Sequence, residues 1–338
     1  MIVDRYYYSQ LNEQEREIYK KFYKGVIEYQ EIIPISMQHD FSQKQFEHVF
    51  MAMTRDNPLI YFLNQSTCSI AIDRFGNIAI CPQYFLTKEK VKEYNRKIEK
   101  VVNELVEKLR LLEGSNYEKE LRIHDWICQN IEYDYEGNDV DKVSQVIVSH
   151  NILGVFAYHK AQCEGIAKAV KVLLNAVDVK CIVVTGESVK NGQGVPHAWN
   201  IVDIETEPYQ LDVTWDIGAM GQREHSVVYD YFNLTDELMN QDHKADSSLP
   251  VCRSKKANYY VQSGCSFQMR RRLMAYIDRL MEQNKQIYEF RVEGRLNKPV
   301  IEKEVTDHIL QRLREQGRNS AGIRICSNKK LGIYRIEI

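Results

Sequence analysis

One cysteine in this chain stands where thiol chemistry would need it. Cys163 lies in the stretch "AQCEGIAKAV", and apolar residues recur at helical spacing from there to residue 177. The sequence therefore predicts a helix over residues 163–176 with Cys163 in its first turn. Unpaired N–H groups and the positive end of the helix dipole favour a thiolate there and offer donors to an oxyanion. The alternative is that Cys163 is a small buried apolar residue.

A histidine and two aspartates follow on predicted strands. His197 begins "PHAWNIV", whose residues alternate between two faces of a strand, and "YQLDVTW" alternates in the same way. A hairpin centred on Glu205 and Thr206 would place Asp212 and Asp216 diagonally opposite His197. Such diagonal neighbours are about 7–8 Å apart, within reach of a carboxylate. The spacing alone does not choose between the two aspartates.

Together these residue types predict a Cys/His/Asp site. Cys163 would be the nucleophile, His197 would take its proton and later return it to the leaving group, and an aspartate would orient the imidazole. We expect Gly165 to leave room for a peptide approaching the sulfur. Gln162 and Trp199 are further candidates for substrate contact, with core packing as the alternative for the tryptophan.

The elements that position these residues fall into three predicted regions. Residues 1–115 form a helical and β-hairpin region packed on the core, residues 116–250 form the catalytic core, and residues 251–338 form a small basic α+β domain. In the last region we expect strands at 258–262, 287–292, 322–326 and 332–338 and helices at 266–284 and 300–316. The segment "GESVKNGQGVPH", residues 186–197, is predicted to be a loop at the edge of the substrate groove.

Charge is distributed unevenly along the 338 residues. The net charge is −2, but residues 251–338 hold 19 Lys and Arg against 9 Asp and Glu, a balance of +10 that leaves −12 for the rest. Docking of the basic domain on the acidic core is favoured over nucleic-acid binding, which is the alternative partner for this domain. The oligomeric state is left open.

Cysteine usage and hydropathy restrict the class of protein further. Eight scattered cysteines without a CxxC pair indicate reduced thiols. No stretch resembles a signal peptide or a membrane span, so we expect a cytoplasmic location and no membrane partner. His124 and Cys128, four residues apart, could share a metal, but one such pair is too few ligands for a zinc site, and a buried helix face is favoured. We therefore expect no metal and no other cofactor.

Several motifs resemble the core of the transglutaminase-like superfamily. They are "CEGIAKAVKVLLNAV", "PHAWNIV" and "QLDVTWD", while "IHDWICQNIEYDY" and "YDYFNLTDELMNQDH" resemble flanking motifs of its bacterial members. The resemblance implies a papain-like α+β core of helices on an antiparallel sheet, with Asp212 rather than Asp216 as the third residue. Two departures are Ala161-Gln162 in place of Gly-Val and Glu205-Thr206 in place of Asp-Gly. The second predicts a hairpin loop wider than a type I′ turn.

The resemblance also implies a function. A protein or peptide substrate would be cleaved at a peptide or side-chain amide bond by a cysteine protease or amidase, through a thioester that water resolves. Amine acyl transfer to the same thioester is one alternative. A non-catalytic scaffold that binds a protein partner is the other.

Overall fold

The structure is a computed structural model that describes residues 5–35, 42–136, 148–190, 192–221, 223, 226–296, 300–318 and 322–338. Within these ranges, buried apolar side chains from the beginning, middle and end of the chain join into one continuous core. Because that core crosses residues 115 and 250, the domain boundaries stay predictions. Among the described helices, none combines the length and the apolar character that crossing a bilayer requires.

The N-terminal region contains four helices and a three-stranded antiparallel sheet. The helices are α1 (Tyr6–Gln10), α2 (Glu13–Glu28), α3 (Gln43–Asp56) and α4 (Lys88–Lys108), and the strands are β1 (Ile33–Ile35), β2 (Ser69–Ile72) and β3 (Ile78–Cys81). Helix α2 begins at a capping box, in which the Asn12 and Glu15 side chains accept each other's backbone N–H groups. Strands β2 and β3 pair as a hairpin.

The central region packs helices on a second antiparallel sheet. Its helices are α5 (Asn116–Asn130), α6 (Cys163–Ala176), α7 (Val213–Met220) and α8 (Asp236–Met239), and a π-helical turn spans Gly154–Tyr158. Its strands are β4 (Glu132–Tyr133), β5 (Lys160–Ala161), β6 (Cys181–Lys190), β7 (Gln193–Ile204), β8 (Glu207–Leu211) and β9 (His243–Ala245). The four-stranded sheet of this region has the strand order β8-β7-β6-β9, and α6 packs on β6 and β7. This is the predicted α+β core, and α6 has the predicted bounds.

The segment at 186–197 is a β-ribbon, so its prediction as a loop was wrong. Strands β6 and β7 remain paired out to Lys190 and Gln193, and Gly192 takes the positive φ of 80° near the turn. Residue 191 lies outside the described residues. Backbone hydrogen bonds between β6 and β7 therefore hold this segment in the sheet, although it contains glycines.

The turn between β7 and β8 is tighter than expected. Ile204 pairs with Glu207, so only Glu205 and Thr206 connect the strands, and their φ angles are 52° and 69°. Two positive φ values in a two-residue loop are those of a type I′ turn, whose twist matches that of the flanking strands. The hairpin centre was predicted correctly, whereas the wider loop was wrong. The strain of two left-handed residues is outweighed by the pairing of the strands.

The C-terminal region is a four-stranded sheet with two long helices. Its elements are α9 (Tyr259–Gln262), β10 (Ser266–Phe267), α10 (Arg270–Glu282), β11 (Ile287–Val292), a 3-10 turn (Gly294–Leu296), α11 (Val300–Glu315), β12 (Arg324–Asn328) and β13 (Ile333–Glu337). The sheet order is β10-β11-β13-β12. The strand predicted at 258–262 is instead the short helix α9. There Tyr260 is fully buried and donates its hydroxyl to Asp230, and the Tyr259 ring stacks on Tyr229 with centroids 3.7 Å apart. Tertiary contacts with the central region thus override the β propensity.

Ion pairs of the expected sign join the basic region to the acidic one. Lys256 lies 3.4 Å from Glu207, and Lys330 lies 3.5 Å from Asp242. Both lysines come from the C-terminal region and both carboxylates from the central region. These two pairs have the expected sense, whereas Arg223 of the central region lies 3.2 Å from Glu289 of the C-terminal region, in the reverse sense.

Candidate active site

Cys163 is the first residue of α6 and follows Gln162 in extended conformation. It retains 8% of its surface exposed and lies in a small apolar cluster with Ala167, Val183 and Ala198. The first backbone N–H groups of a helix have no partner inside the helix. An oxygen that carries negative charge beside the sulfur would find such donors there.

His197 contacts a carboxylate and is a neighbour of Cys163. Its Nε2 lies 2.6 Å from Asp212 Oδ2, and the Cys163 sulfur is close enough to affect the pKa of its ring. Burial by itself lowers the pKa of the imidazole, but the Asp212 carboxylate and the Cys163 sulfur outweigh burial and raise that pKa above its ordinary value. Because Nε2 is bonded to Asp212, Nδ1 is the nitrogen left for the sulfur. These surroundings favour an imidazolium.

Asp212 is held by three donors. It is the N-cap of α7, where Oδ1 accepts from the Trp215 backbone N–H at 3.1 Å. Oδ2 contacts Nε2 of His197 at 2.6 Å and Nε2 of His243 at 3.0 Å. Burial would raise the pKa of this carboxyl, but the two histidines lower it well below its ordinary value. A buried carboxylate with this many donors remains charged.

Asp216, the other aspartate that the spacing allowed, faces a different histidine. Its Oδ2 lies 3.1 Å from Nε2 of His124, and its Oδ1 accepts the Tyr231 backbone N–H. Strand β8 ends at Leu211 and Asp212 starts a helix, so Asp216 lies a full turn further along α7. Of the two aspartates, it is therefore Asp212 that contacts His197.

His124 and Cys128 lie on the buried face of α5. Cys128 Sγ is 3.6 Å from His124 Nε2, and both residues are buried. They and Asp216 tie α5 to α7, which begins at Asp212. His124 and Cys128 thus belong to a buried helix face, which is the alternative that the sequence favoured over a metal site.

Gly165 has a different role from the one predicted. A Cβ at this position would lie 2.4 Å from Ser149 O and 2.8 Å from Asn151 O. The space that the missing side chain leaves is filled by the backbone of the segment before the π-helical turn, so it is not open to an approaching peptide. Gly165 thus permits the close approach of that segment to α6.

Gln162 and Trp199, the other predicted substrate contacts, are each only 2% exposed. Gln162 Nε2 donates to the Asp134 carbonyl at 3.0 Å, and Trp199 Nε1 donates to Gln210 Oε1 at 2.7 Å. Both side chains are therefore bonded within the protein, and the core-packing alternative describes Trp199. Substrate contact by either side chain would require these bonds to open.

Sequence reasoning missed three residues around the site. His243, in β9, contacts the same Asp212 oxygen as His197; it is the last residue of the flanking motif "YDYFNLTDELMNQDH", which did not by itself connect it with the site. Burial, followed by the charge of Cys163, raises the pKa of Tyr133 to about 12. Its ring meets that of Tyr135, which is 74% exposed. The alternating tyrosines of "EYDYE" were the only signal for this exposed aromatic pair.

A metal ion has one candidate position in the described part of the chain. His197, Asp212 and His243 offer ligand atoms within 4.8 Å of one another. However, the two contacts with Asp212 Oδ2 measure 2.6 and 3.0 Å, as hydrogen bonds do. Ligands around a tetrahedral zinc ion are roughly 3.3 Å apart, given zinc–ligand bonds of about 2.0–2.1 Å. Two histidines and an aspartate are residue types that bind zinc, but the distances between their ligand atoms fit hydrogen bonds better.

Comparison with known proteins gives a matching family. The model of the Transglutaminase-like superfamily matches residues 103–212, a range that holds Cys163 and His197 and ends at Asp212. Kyphoscoliosis peptidase of Mus musculus is 30% identical over 158 residues, which cover 43% of this chain and 23% of that protein. The Homo sapiens protein is 28% identical over the same shares. The chain thus spans about a quarter of the length of these relatives.

A crystal structure of a TGase aligns over 54% of this chain and 50% of that one, with 16% sequence identity and a TM-score of 0.32. The superfamily includes cysteine proteases and acyltransferases, which supports an enzyme in general terms. Residues 103–212 of this chain are therefore similar to the transglutaminase-like superfamily.

Proposed function

We propose that this chain is a thiol-dependent acyl hydrolase that cleaves a peptide or side-chain amide bond with Cys163, His197 and Asp212. The observation that carries the proposal is the short contact of His197 with the buried Asp212 carboxylate, beside the sulfur at the start of α6, which contributes to raising the pKa of the imidazole. A merely structural cysteine has no need of an imidazole that is itself held by a charged group.

The reaction has two halves. The Cys163 thiolate attacks the amide carbonyl, and first-turn N–H groups of α6 stabilise the oxyanion. His197 then gives its proton to the departing amine, which leaves a thioester on the sulfur. In the second half His197 takes a proton from water and the hydroxide attacks the thioester; the carboxylic acid leaves, and the Cys163 thiolate and the His197 imidazolium are restored. Asp212 keeps the imidazole oriented in both halves.

A neighbouring negative charge is compensated. Glu164 follows the nucleophile directly, and its carboxylate would oppose a thiolate. Its Oε1 lies 2.6 Å from Lys168 Nζ and its Oε2 lies 3.6 Å from His150 Nδ1. Burial raises the pKa of Glu164, but Lys168 and His150 lower it to about 2, so the carboxylate is ionised and paired. The field at Cys163 is therefore set mainly by His197 and the helix dipole.

Two considerations favour hydrolysis of a protein or peptide over amine transfer. The curated relatives are named peptidases. The 8% exposure of Cys163 also favours a slender substrate, such as an extended backbone or a single side chain, which can reach a recessed sulfur.

Alkylation by iodoacetamide tests the nucleophile without a known substrate. Because an imidazolium stabilises the thiolate, Cys163 should be carboxamidomethylated well below pH 8, and His197→Ala should abolish that low-pH labelling. Cys252 is the internal control, since burial raises the pKa of its thiol. Peptide mapping by mass spectrometry follows both sites in one sample. Labelling of Cys163 that is no faster than that of Cys252 at pH 6 would refute the proposal.

The reaction type is tested next with a peptide library in water enriched in oxygen-18. A hydrolase places one heavy oxygen in each product acid, and Cys163→Ala abolishes the product. If an added primary amine is incorporated at the expense of that acid, the enzyme is a transferase instead.

A further inference from the structure

Strands β6 and β9 place His243 at the candidate site. Sequence reasoning did not connect this histidine with the site. Its Nε2 lies 3.0 Å from Asp212 Oδ2, the oxygen that also contacts His197 at 2.6 Å. The His243 side chain has no exposed surface, and its ring centroid is 5.3 Å from that of His197. Asp212 thus stands between two imidazoles, and the mechanism above uses only one of them.

The other side of His243 faces a second carboxylate. Its Nδ1 lies 2.8 Å from Asp242 Oδ1, while Asp242 Oδ2 accepts the Tyr231 hydroxyl at 2.9 Å and lies 3.5 Å from Lys330 Nζ. A ring between two carboxylates satisfies both only when both nitrogens carry protons. Burial opposes that charge, but Asp212 and Asp242 raise the pKa of His243 above its ordinary value. Both ring nitrogens of His243 are therefore placed to donate, one to each carboxylate.

The backbone brings β9 close enough for this contact. Gly186 of β6 pairs with Ala245 of β9, and a Cβ at Gly186 would lie 2.2 Å from Lys244 O. Two residues further along β6, Ser188 pairs with His243. A glycine at position 186 thus lets β9 lie against the sheet at the level of His197, which pairs with Gly186 from the other side.

Aromatic side chains surround the His243 ring. The ring centroids of Trp215, Trp199 and Tyr231 lie 4.7, 5.1 and 5.6 Å from it. With both nitrogens bonded and three rings around it, His243 has no second orientation of comparable energy. It can therefore restrain the carboxylate that it contacts.

We propose that His243, anchored by Asp242, is a positioning residue that holds the Asp212 carboxylate in the orientation that keeps His197 aligned with Cys163. This inference rests on the proposed function. His243 touches no reacting atom, and it acts through Asp212. Without the N–H donor of His243, Asp212 Oδ2 keeps His197 as its single partner. The Trp215 N–H holds only the other oxygen, Oδ1, so the carboxylate can rotate.

Two substitutions separate the donor from the charge. His243→Ala removes both, so Cys163 labelling by iodoacetamide at pH 6 should fall about tenfold, the order expected when a hydrogen bond to a charged group is lost. At pH 9, where a thiolate forms without help, the rate should change little. His243→Gln removes the charge but presents an amide N–H near Nε2, so its rate at pH 6 should equal or exceed that of the wild type, because the cation competing with His197 for Asp212 is gone.

His308→Asn is the matched control. His308 Nε2 lies 2.8 Å from Asp278 Oδ1 in the C-terminal region, so this variant breaks a histidine–aspartate contact outside the site. Its labelling profile should be that of the wild type. Far-UV circular dichroism of each variant reports whether it is folded. If His243→Ala is unfolded, His243→Gln still tests the inference.

The outcomes for this inference and for the proposed function are distinguishable. The titration of His197, followed by NMR of ¹⁵N-labelled histidine, should move to lower pH in His243→Ala and not in His243→Gln. If the wild type lacks low-pH labelling but this titration pattern is seen, the proposed function fails and the positioning role stands. If His243→Ala leaves both the labelling ratio between pH 6 and pH 9 and the His197 titration unchanged, the inference is wrong. Zinc bound at His243 would also overturn it, and would show as labelling that a chelator accelerates.

Discussion

Gly165→Ala tests how closely α6 lies against the segment that precedes the π-helical turn. In an unhindered helix interior, replacing Gly by Ala stabilises a protein by about 1 kcal/mol. Here the new methyl group would lie 2.4 Å from Ser149 O and 2.8 Å from Asn151 O. Both are backbone atoms, which cannot move aside as the end of a flexible side chain can.

The magnitude follows from these contacts. Relief of the closer one requires a displacement of about 0.6 Å or more, because carbon and oxygen do not approach below about 3 Å in a packed interior. Overpacking of this kind costs typically about 1–3 kcal/mol, and two simultaneous backbone clashes put Gly165→Ala at the upper end of that range. After the helix-propensity gain is subtracted, we expect a net loss of about 2 kcal/mol in the free energy of unfolding.

Gly218→Ala is the matched control. Gly218 also lies inside a helix, α7, but nothing lies within 4 Å of the position that its Cβ would take. This variant should gain about 0.4–1 kcal/mol. Urea-induced unfolding followed by far-UV circular dichroism measures both. If Gly165→Ala is as stable as Gly218→Ala, the segment does not lie against α6 as described, and the account of Gly165 is wrong.

Three further predictions concern other parts of the fold. Replacing Glu205-Thr206 by Asn-Gly should raise the melting temperature, because asparagine and glycine tolerate the left-handed conformation, which costs other residues about 1 kcal/mol or more each; an unchanged or lower temperature would contradict the type I′ turn. Burial raises the pKa of Glu120 to about 8, so its contribution to stability is fully present below its unfolded pKa of about 4.3 and is lost as pH rises through 8. Relative to the wild type, the free energy of unfolding of Glu120→Gln should therefore rise by a few kcal/mol between pH 5 and pH 8, as measured by urea titration. If the free energies of the two proteins change in parallel with pH, the carboxyl is not buried. Gly186→Ala should push β9 away and slow Cys163 labelling at pH 6, as His243→Ala does; wild-type labelling in a folded Gly186→Ala protein would argue against the contact between β6 and β9.

Local patterns were enough to predict the parts of the site that depend on neighbours along the chain. The apolar period of residues 163–176 predicted α6 with its bounds, because a 3.6-residue repeat is a property of the segment itself. Alternation around His197 predicted β7 and the centre of its hairpin for the same reason. The resemblance to a family then supplied the preference for Asp212, which spacing had left open.

Contacts between distant segments determined the rest. The alternation of "YQLDVTW" predicted a strand past Leu211, but Asp212 instead caps a helix whose buried face packs on α5, and this packing separates Asp212 from Asp216. His243 lies 31 residues beyond Asp212 and reaches it only because β9 joins the sheet beside β6. Periodicity describes which face of an element is apolar, whereas the partner that covers that face is chosen by packing over the whole chain. The candidate nucleophile could therefore be found from its own helix, but the hydrogen bonds that orient the proposed base could be found only from the folded chain.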